Sequence, residues 1–209
     1  PVHQVACGVS DILMHTLDRY FNPVTDNALT DELAEALLRV VLEYGPAAVR
    51  DAHAENAMSD IMWAGSLSHN GRTGLGGKKD FATHQLGHAL SEKFDVYHGD
   101  SLTAVWSSWA RSVMDDSPAR FARSARTVWH VAAADDTAAA LAGIATQESF
   151  FRSIGMPVCL GALPCGKQAE AGLADLASRC SYGKTRTIGT FRVLDYEKIL
   201  AIYRRANEA

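Results

Sequence analysis

The chain has 209 residues, 47% of them hydrophobic and 21% charged, with a formal net charge of −4 at pH 7. This is the composition of a single globular domain with enough apolar surface for a real core, placed here at 1–209. It argues against nucleic-acid binding, because no Lys/Arg-rich run is present, and against a membrane partner, because no apolar stretch reaches the roughly 18 residues a spanning helix needs. The opening Pro1-Val2-His3-Gln4 is neither a signal nor a transit peptide, and without a starting Met the chain is expected to begin partway through a longer gene product. Cys7, Cys159, Cys165 and Cys180 are scattered, with no C-x-x-C pair. They read as the reduced thiols of a cytoplasmic protein, and no bridge between Cys159 and Cys165 is expected.

In chain order, Val9, Ile12, Leu13, Leu17 and Tyr20 recur at helical spacing, so a helix runs from Cys7 to Tyr20 and ends at Asn22-Pro23. A second helix starts near Asn27 or Thr30, carries Asp31 and Glu32 in its first turn, and is expected to stop at Gly45-Pro46. A short helix should then cover Pro46 to Asp51. The segment from Ala54 to Leu67 is apolar around much of its circumference, which predicts a central rather than a peripheral helix. Four glycines make Ser68 to Lys79 a loop, and with neither G-x-G-x-x-G nor G-x-x-x-x-G-K-[ST] present it is no phosphate loop.

Helices follow over Phe81–Phe94, Asp100–Val113 and Pro118–Val131. In the last of these Arg120, Arg123 and Arg126 recur every third residue, a pattern read as a solvated face. Thr137 to Ile154 is a long helix stopped by Gly155 and Met156-Pro157. Cys159–Gly166 is loop, Lys167–Cys180 a helix, and Asp195 caps a final helix that turns Ile199, Leu200 and Tyr203 inward. No alternating strand pattern appears. The fold class is therefore all-α, a bundle of about eight to ten helices. Trp63, Trp106 and Trp109 are expected in its core, with room for one to line a pocket.

The chemistry concentrates in Thr83-His84-Gln85-Leu86-Gly87-His88, with His98 ten residues beyond. Histidines at i and i+4 lie one above the other on a helix face. Upstream, Asp11 and His15 repeat that spacing on an apolar face, where an unpaired carboxylate would be costly to bury. Three imidazoles and one carboxylate, with no thiolate, suit catalytic Fe(II), Zn(II), Mn(II) or Co(II) rather than structural zinc. Helical bundles build such sites from inward-facing side chains on neighbouring helices. The reading is a mononuclear metal held by Asp11, His15, His84 and His98, with His88 left for chemistry. His3, His53 and His130 lack partners at useful spacing and read as surface or structural residues. His69, in Ser68-His69-Asn70-Gly71, either approaches the site or serves the turn.

With these residues in hand, the chain resembles the group III iron-containing alcohol dehydrogenases, in particular their butanol dehydrogenase-like branch. The resemblance rests on Ala6-Cys7-Gly8-Val9-Ser10-Asp11-Ile12-Leu13-Met14-His15, on Ser68-His69-Asn70-Gly71, on Ala82-Thr83-His84-Gln85-Leu86-Gly87-His88, on Tyr97-His98-Gly99 and on Phe150-Phe151-Arg152-Ser153-Ile154-Gly155-Met156-Pro157. It implies the C-terminal all-helical domain of a protein whose N-terminal α/β domain binds the nucleotide. It places the family's metal ligands on Asp11, His15, His84 and His98, and its further active-site histidine on His88, as a proton relay or as support for a ligand.

The resemblance also implies Fe(II), or Zn(II) or another divalent metal, and NAD(P)H-dependent interconversion of aldehydes or ketones with alcohols. It implies a homodimer in the full-length protein. The nucleotide domain would lie outside these residues, with Pro1 at the linker, so the chain by itself is expected to be an inactive fragment. The segment Leu160-Gly161-Ala162-Leu163-Pro164-Cys165 departs from the family's usual continuation after Met156-Pro157. The alternative is a metal-binding or scaffold domain without dehydrogenase activity. A helical His/Asp phosphohydrolase is disfavoured, because no His is directly followed by Asp.

Overall fold

The computed structural model describes residues 1–24 and 26–208. Among these, nine α-helices follow one another: α1 (Val2–Tyr20), α2 (Ala28–Arg50), α3 (Glu55–His69), α4 (Ala82–Phe94), α5 (His98–Val113), α6 (Pro118–Thr127), α7 (Asp136–Ser153), α8 (Glu170–Cys180) and α9 (Tyr196–Glu208). The β pairing found among the described residues is one antiparallel bridge between Ile188 and Leu194. The all-α expectation holds, and no described helix is long and apolar enough to cross a membrane.

The bundle is organised around α1 and α5. Helix α1 packs on α2, α3, α4 and α5, while α5 also packs on α7 and α9. Trp106 and Trp109 of α5, Tyr20 and Phe21 at the end of α1, Phe151 of α7 and Tyr203 of α9 are all almost fully buried. Each large apolar side chain buried in this way contributes about 1.5–3 kcal/mol relative to exposure. Phe21 stacks on Phe121 of α6 with ring centroids 4.2 Å apart, tying that layer to the centre. A Cβ at Gly99 would stand 2.6 Å from the Cys7 Cα, so glycine there lets the start of α5 lie directly on α1.

Local signals set several ends. Gly155 at φ +79° reverses α7, and Met156 N–H reaches back to the Phe151 carbonyl at 2.9 Å, a Schellman closure. Asp195 Oδ1 accepts from Lys198 N–H at 3.0 Å, the expected cap of α9. Leu160 is fully buried in a one-turn 3-10 helix (Leu160–Ala162), so the segment after Met156-Pro157 is ordered packing. All four cysteines are free.

Three expectations are corrected. Helix α2 runs unbroken through Pro46, because Ala48 and Val49 beyond the proline are buried. The single hydrogen bond that proline forfeits is outweighed by that packing. Helix α3 is peripheral: it buries Ala57, Ile61, Ala64 and Ser68, while Met62 and Trp63 stand 70% and 64% exposed. Apolar residues all around a helix do not create a second layer to cover them, so Trp63 leaves the core and lines an open groove with Leu33 and Leu37.

The arginine row of α6 is not a solvated face. Arg120 is buried and grips both carboxylate oxygens of Asp31 at 2.5 and 2.6 Å. It also donates to the Tyr20 carbonyl at 2.6 Å and lies 3.8 Å over the Tyr20 ring. Arg123 donates to Glu35 Oε1 at 2.6 Å, and the Tyr20 hydroxyl donates to the same oxygen at 2.8 Å. These contacts cap the C-terminal end of α1 and bolt it to α2 and α6. Removing one partner strands a buried charge, so Asp31→Ala should cost about 3–5 kcal/mol. For a domain of this size that is a fall of roughly 6–20 °C in melting temperature, readable by calorimetry.

Candidate metal centre

Three helices, α3, α4 and α5, meet over the middle of α1. That helix presents Asp11 and His15 one turn apart on its apolar face, and Asp18 a turn further. The last turn of α3 supplies His69, α4 supplies His84 and His88, and the first residue of α5 is His98. Phe81, just before α4, holds a left-handed φ of +53°, a strained conformation for a bulky residue. Its ring packs on His15 at 5.6 Å and His84 at 5.0 Å, with the Arg19 guanidinium 4.9 Å from its centroid. Asp80 anchors that turn, accepting from Thr190 N–H at 2.6 Å, Phe191 N–H at 2.7 Å and Ala82 N–H at 3.1 Å. Burial pushes the Asp80 carboxyl up to about 6, with the Asp18 charge adding to it.

The centre of the arrangement is one carboxylate oxygen. Asp11 Oδ1 lies 3.7 Å from His15 Nε2, 3.6 Å from His84 Nε2 and 3.4 Å from His98 Nε2. The four residues expected as ligands therefore come together from three helices. Both Asp11 Oδ1 and His84 Nε2 are buried without a hydrogen-bond partner. Each such orphan costs about 1–3 kcal/mol unless something satisfies it. Donor atoms that each sit roughly 2.0–2.2 Å from one shared cation lie about 3–3.5 Å apart, close to the spacing seen here. The residues fit a divalent metal.

The electrostatics point the same way. Burial pushes the Asp11 carboxyl up, but His84, His98 and His15 outweigh it and hold the group well below the usual carboxylate range. His84 is almost fully buried, and its Nδ1 lies 2.6 Å from Asp18 Oδ2. Burial lowers its pKa, but Asp11 and Asp18 overcome that and lift it to about 9. With Nδ1–H given to Asp18, the other ring nitrogen faces Asp11, the second-sphere arrangement that orients metal-bound histidines. His15 is driven down to about 3, chiefly by burial and further by His84, His69 and Arg19. His88 is lowered by burial and then by His98 and His84, and its ring stands 5.3 Å from that of His98 and 6.2 Å from that of His84. It faces the centre without joining the four donors.

His69 approaches the centre rather than serving only the turn: its Nε2 is 3.3 Å from Asp11 Oδ2, and its ring lies 3.9 Å from that of His15. His3 is also partnered, with Nε2 3.0 Å from Asp100 Oδ2, a contact across 97 residues that spacing could not reveal. The sequence reasoning missed Asp18 and Phe81. Asp18 had a signal, since it follows Asp11 by two turns on one helix face. The Phe81 conformation had none, because left-handed backbone at a phenylalanine is imposed by its surroundings.

Without a metal, the proton on His84 is expected to stabilise the fold. A pKa raised from 6.5 to about 9 gives a contribution present in full below pH 6.5 and lost as pH rises through about 9. Urea unfolding of the metal-free chain should show that loss, and His84→Gln should remove it.

Residues 4–207 match the family described as "Fe-containing alcohol dehydrogenase family, C-terminal". The chain is 32% identical over 208 residues to the NADH-dependent butanol dehydrogenase A of Clostridium acetobutylicum, covering 99% of this chain and 53% of that protein. It is 32% identical over 160 residues to the NADPH-dependent aldehyde reductase YqhD of Escherichia coli, covering 77% of this chain and 41% of that one. The solved substrate- and cofactor-free form of the YqhD aldehyde reductase superposes with a TM-score of 0.91 at 27% identity, over 99% of this chain and 53% of that structure. The butanol dehydrogenase A structure from Thermotoga maritima gives 0.90 at 23% identity, over 99% and 52%, a likeness of fold. The chain thus spans about half the length of the relatives it matches.

Proposed function

Because this chain belongs to the iron-containing alcohol dehydrogenase family, as its C-terminal helical domain, we propose that it forms the metal-binding catalytic half of an NAD(P)H-dependent enzyme interconverting aldehydes or ketones with alcohols. The observation that carries this reading is the pair of buried, unpartnered atoms Asp11 Oδ1 and His84 Nε2, flanked by His15 and His98. Asp11, His15, His84 and His98 would hold Fe(II), or Zn(II) or another divalent ion. Such an ion supplies Lewis acidity, drawing charge onto a substrate carbonyl oxygen as hydride arrives. A nicotinamide cofactor would supply the hydride, since no side chain can donate one.

The protein side chains set the conditions for that step. Asp18 fixes the His84 tautomer by taking its Nδ1–H, leaving Nε2 free to coordinate. The depressed pKa of His15 keeps its imidazole neutral through the physiological range, and because Arg19 Nη1 only donates toward Nδ1 at 3.2 Å, coordination through Nε2 would need that contact to open. Phe81 and Arg19 close one side of the cluster and limit water at His15 and His84. His88 would hold a proton and pass it to the substrate oxygen. Burial and the neighbouring His98 and His84 lower its pKa, which favours the neutral ring over the charged one.

Metal content and turnover separate this reading from a scaffold that binds metal without catalysis. Protein purified without chelator should carry about one Fe or Zn per chain, and Asp11→Ala or His84→Ala should abolish that binding. Unchanged metal in both variants would show that the centre lies elsewhere. Mixed with NADPH and butanal, the chain by itself is expected to give no turnover, because hydride delivery needs the nucleotide-binding domain. Robust reduction in a stopped-flow or absorbance assay would refute that division of labour.

A further inference from the structure

We propose that His3, Cys7 and Asp100 form a second divalent-metal site, which takes a thiophilic ion of the zinc class and joins the start of α1 to the start of α5. None of its donors belongs to the centre at Asp11, so the two sites stand or fall separately.

His3 and Cys7 are one turn apart on α1, so their side chains share a face. Asp100 lies in the first turn of α5, and Gly99 beside it lets that turn rest directly on the Cys7 backbone. The close approach brings a carboxylate of α5 to two side chains of α1. One donor atom from each of His3, Cys7 and Asp100 lies within 4.8 Å of the other two, and His3 Nε2 is 3.0 Å from Asp100 Oδ2. Around a tetrahedral zinc, with Zn–S about 2.3 Å and Zn–N and Zn–O about 2.0–2.2 Å, such atoms stand roughly 3.3–3.8 Å apart. Small side-chain rotations close the difference.

The independent sign is an unmet demand at Asp100. Its side chain is 8% exposed, yet Oδ1 is buried without a hydrogen-bond partner. His3 satisfies Oδ2, as any histidine–carboxylate pair would, and does nothing for Oδ1. A buried carboxylate oxygen left in this state is costly, and a cation shared with the Cys7 sulfur would satisfy it. The N–H groups of Gly99 and Asp100 are directed at that sulfur and fix it beside the α5 terminus.

The donor set selects the ion. One sulfur, one imidazole and one carboxylate suit Zn(II) or Co(II) and disfavour Mg(II) and Ca(II), and binding releases the thiol proton to solvent. Three protein donors leave a fourth position for water. A cavity of about 430 Å³ opens beside them, lined by His3, Tyr97, Asp100, Met156, Pro157 and Leu163, and provides the entry path. With three donors, one of them 42% exposed, the site binds more weakly than the four-donor centre and fills when metal is added. Once filled, it clamps the two helices that carry Asp11 and His98.

The centre at Asp11 has no sulfur donor, so a thiolate-to-cobalt charge-transfer band in the near ultraviolet reports on the Cys7 site. Co(II) titrated into the reduced whole chain should raise that band, and Zn(II) should bleach it. Asp11→Ala should keep the band, and Cys7→Ser should lack it. His3→Gln, at a half-exposed position, should weaken cobalt binding at this site about ten-fold or more. Circular dichroism checks that each variant folds as the parent, and if Cys7→Ser does not, His3→Gln decides alone. Cobalt bound without the band in the parent would overturn the proposal and leave the Asp11 centre intact. A band that survives in Cys7→Ser, parent affinity in His3→Gln, or loss of the band in folded Asp11→Ala would each overturn it as well. A parent chain whose cobalt binding depends on Cys7 and not on Asp11 or His84 would support this site while defeating the other.

Discussion

The structure depends on a single unpaid electrostatic demand at Asp11. Its Oδ1 is withdrawn from water at the meeting point of α1, α3, α4 and α5, while the side chain as a whole stays partly exposed, with imidazole nitrogens approaching both oxygens. Carboxylate and imidazole lone pairs do not attract one another, and burial strips away the water that would otherwise separate them. A positive charge reconciles them. In the metal-free chain a proton on His84 takes that part, which explains a pKa near 9 for a buried histidine. A divalent metal would satisfy more of these donors at once than a proton can.

Everything that positions Asp11 follows from fixing α1. Arg120 and Arg123 reach from α6 to seize the end of α1 and the first turns of α2. Near the other end, Gly99 lets α5 settle on Cys7 without a side chain between them, which sets His98 beside Asp11. Asp80 ties the segment entering α4 to residues 190 and 191 more than a hundred positions away. The strain at Phe81 is held by these anchors and directs its ring against the histidines. The cluster is thus held in place by contacts outside it.

The roles divide within the histidine cluster by environment rather than by residue type. His84 is enclosed and carboxylate-bound, His15 is desolvated beside a guanidinium, His88 looks onto the centre from one turn away, and His69 reaches in from an exposed helix end. The same side chain therefore spans a raised pKa, a strongly depressed one and a mildly depressed one across a few ångströms. The chain spans about half the length of its relatives, and under the function proposed above this cluster would account for the metal and proton parts of the reaction.

Helical periodicity, caps and stop signals made the all-α bundle readable, because those signals are local and act within a turn or two. The same holds for Asp11-x-x-x-His15 and His84-x-x-x-His88, where i, i+4 spacing places both members of each pair on one face. What local pattern could not decide was which faces other elements would cover. The arginines of α6 have the spacing of a solvated stripe, yet Asp31 and Glu35 of α2 turn Arg120 into a buried clamp and Arg123 into a half-buried one. Pro46 carries a break signal, yet packing beyond it keeps α2 whole. Trp63 has the chemistry of a core residue, yet nothing among the described residues lies over it. Asp18 and His69 join the centre through approaches of 66 and 58 residues in sequence. The sequence by itself pointed to the helices and to Asp11, His15, His84 and His98, the four side chains that the fold brings together. Only the tertiary structure decided their surroundings, because burial, tautomer and charge at each site are set by neighbours that the chain brings from elsewhere.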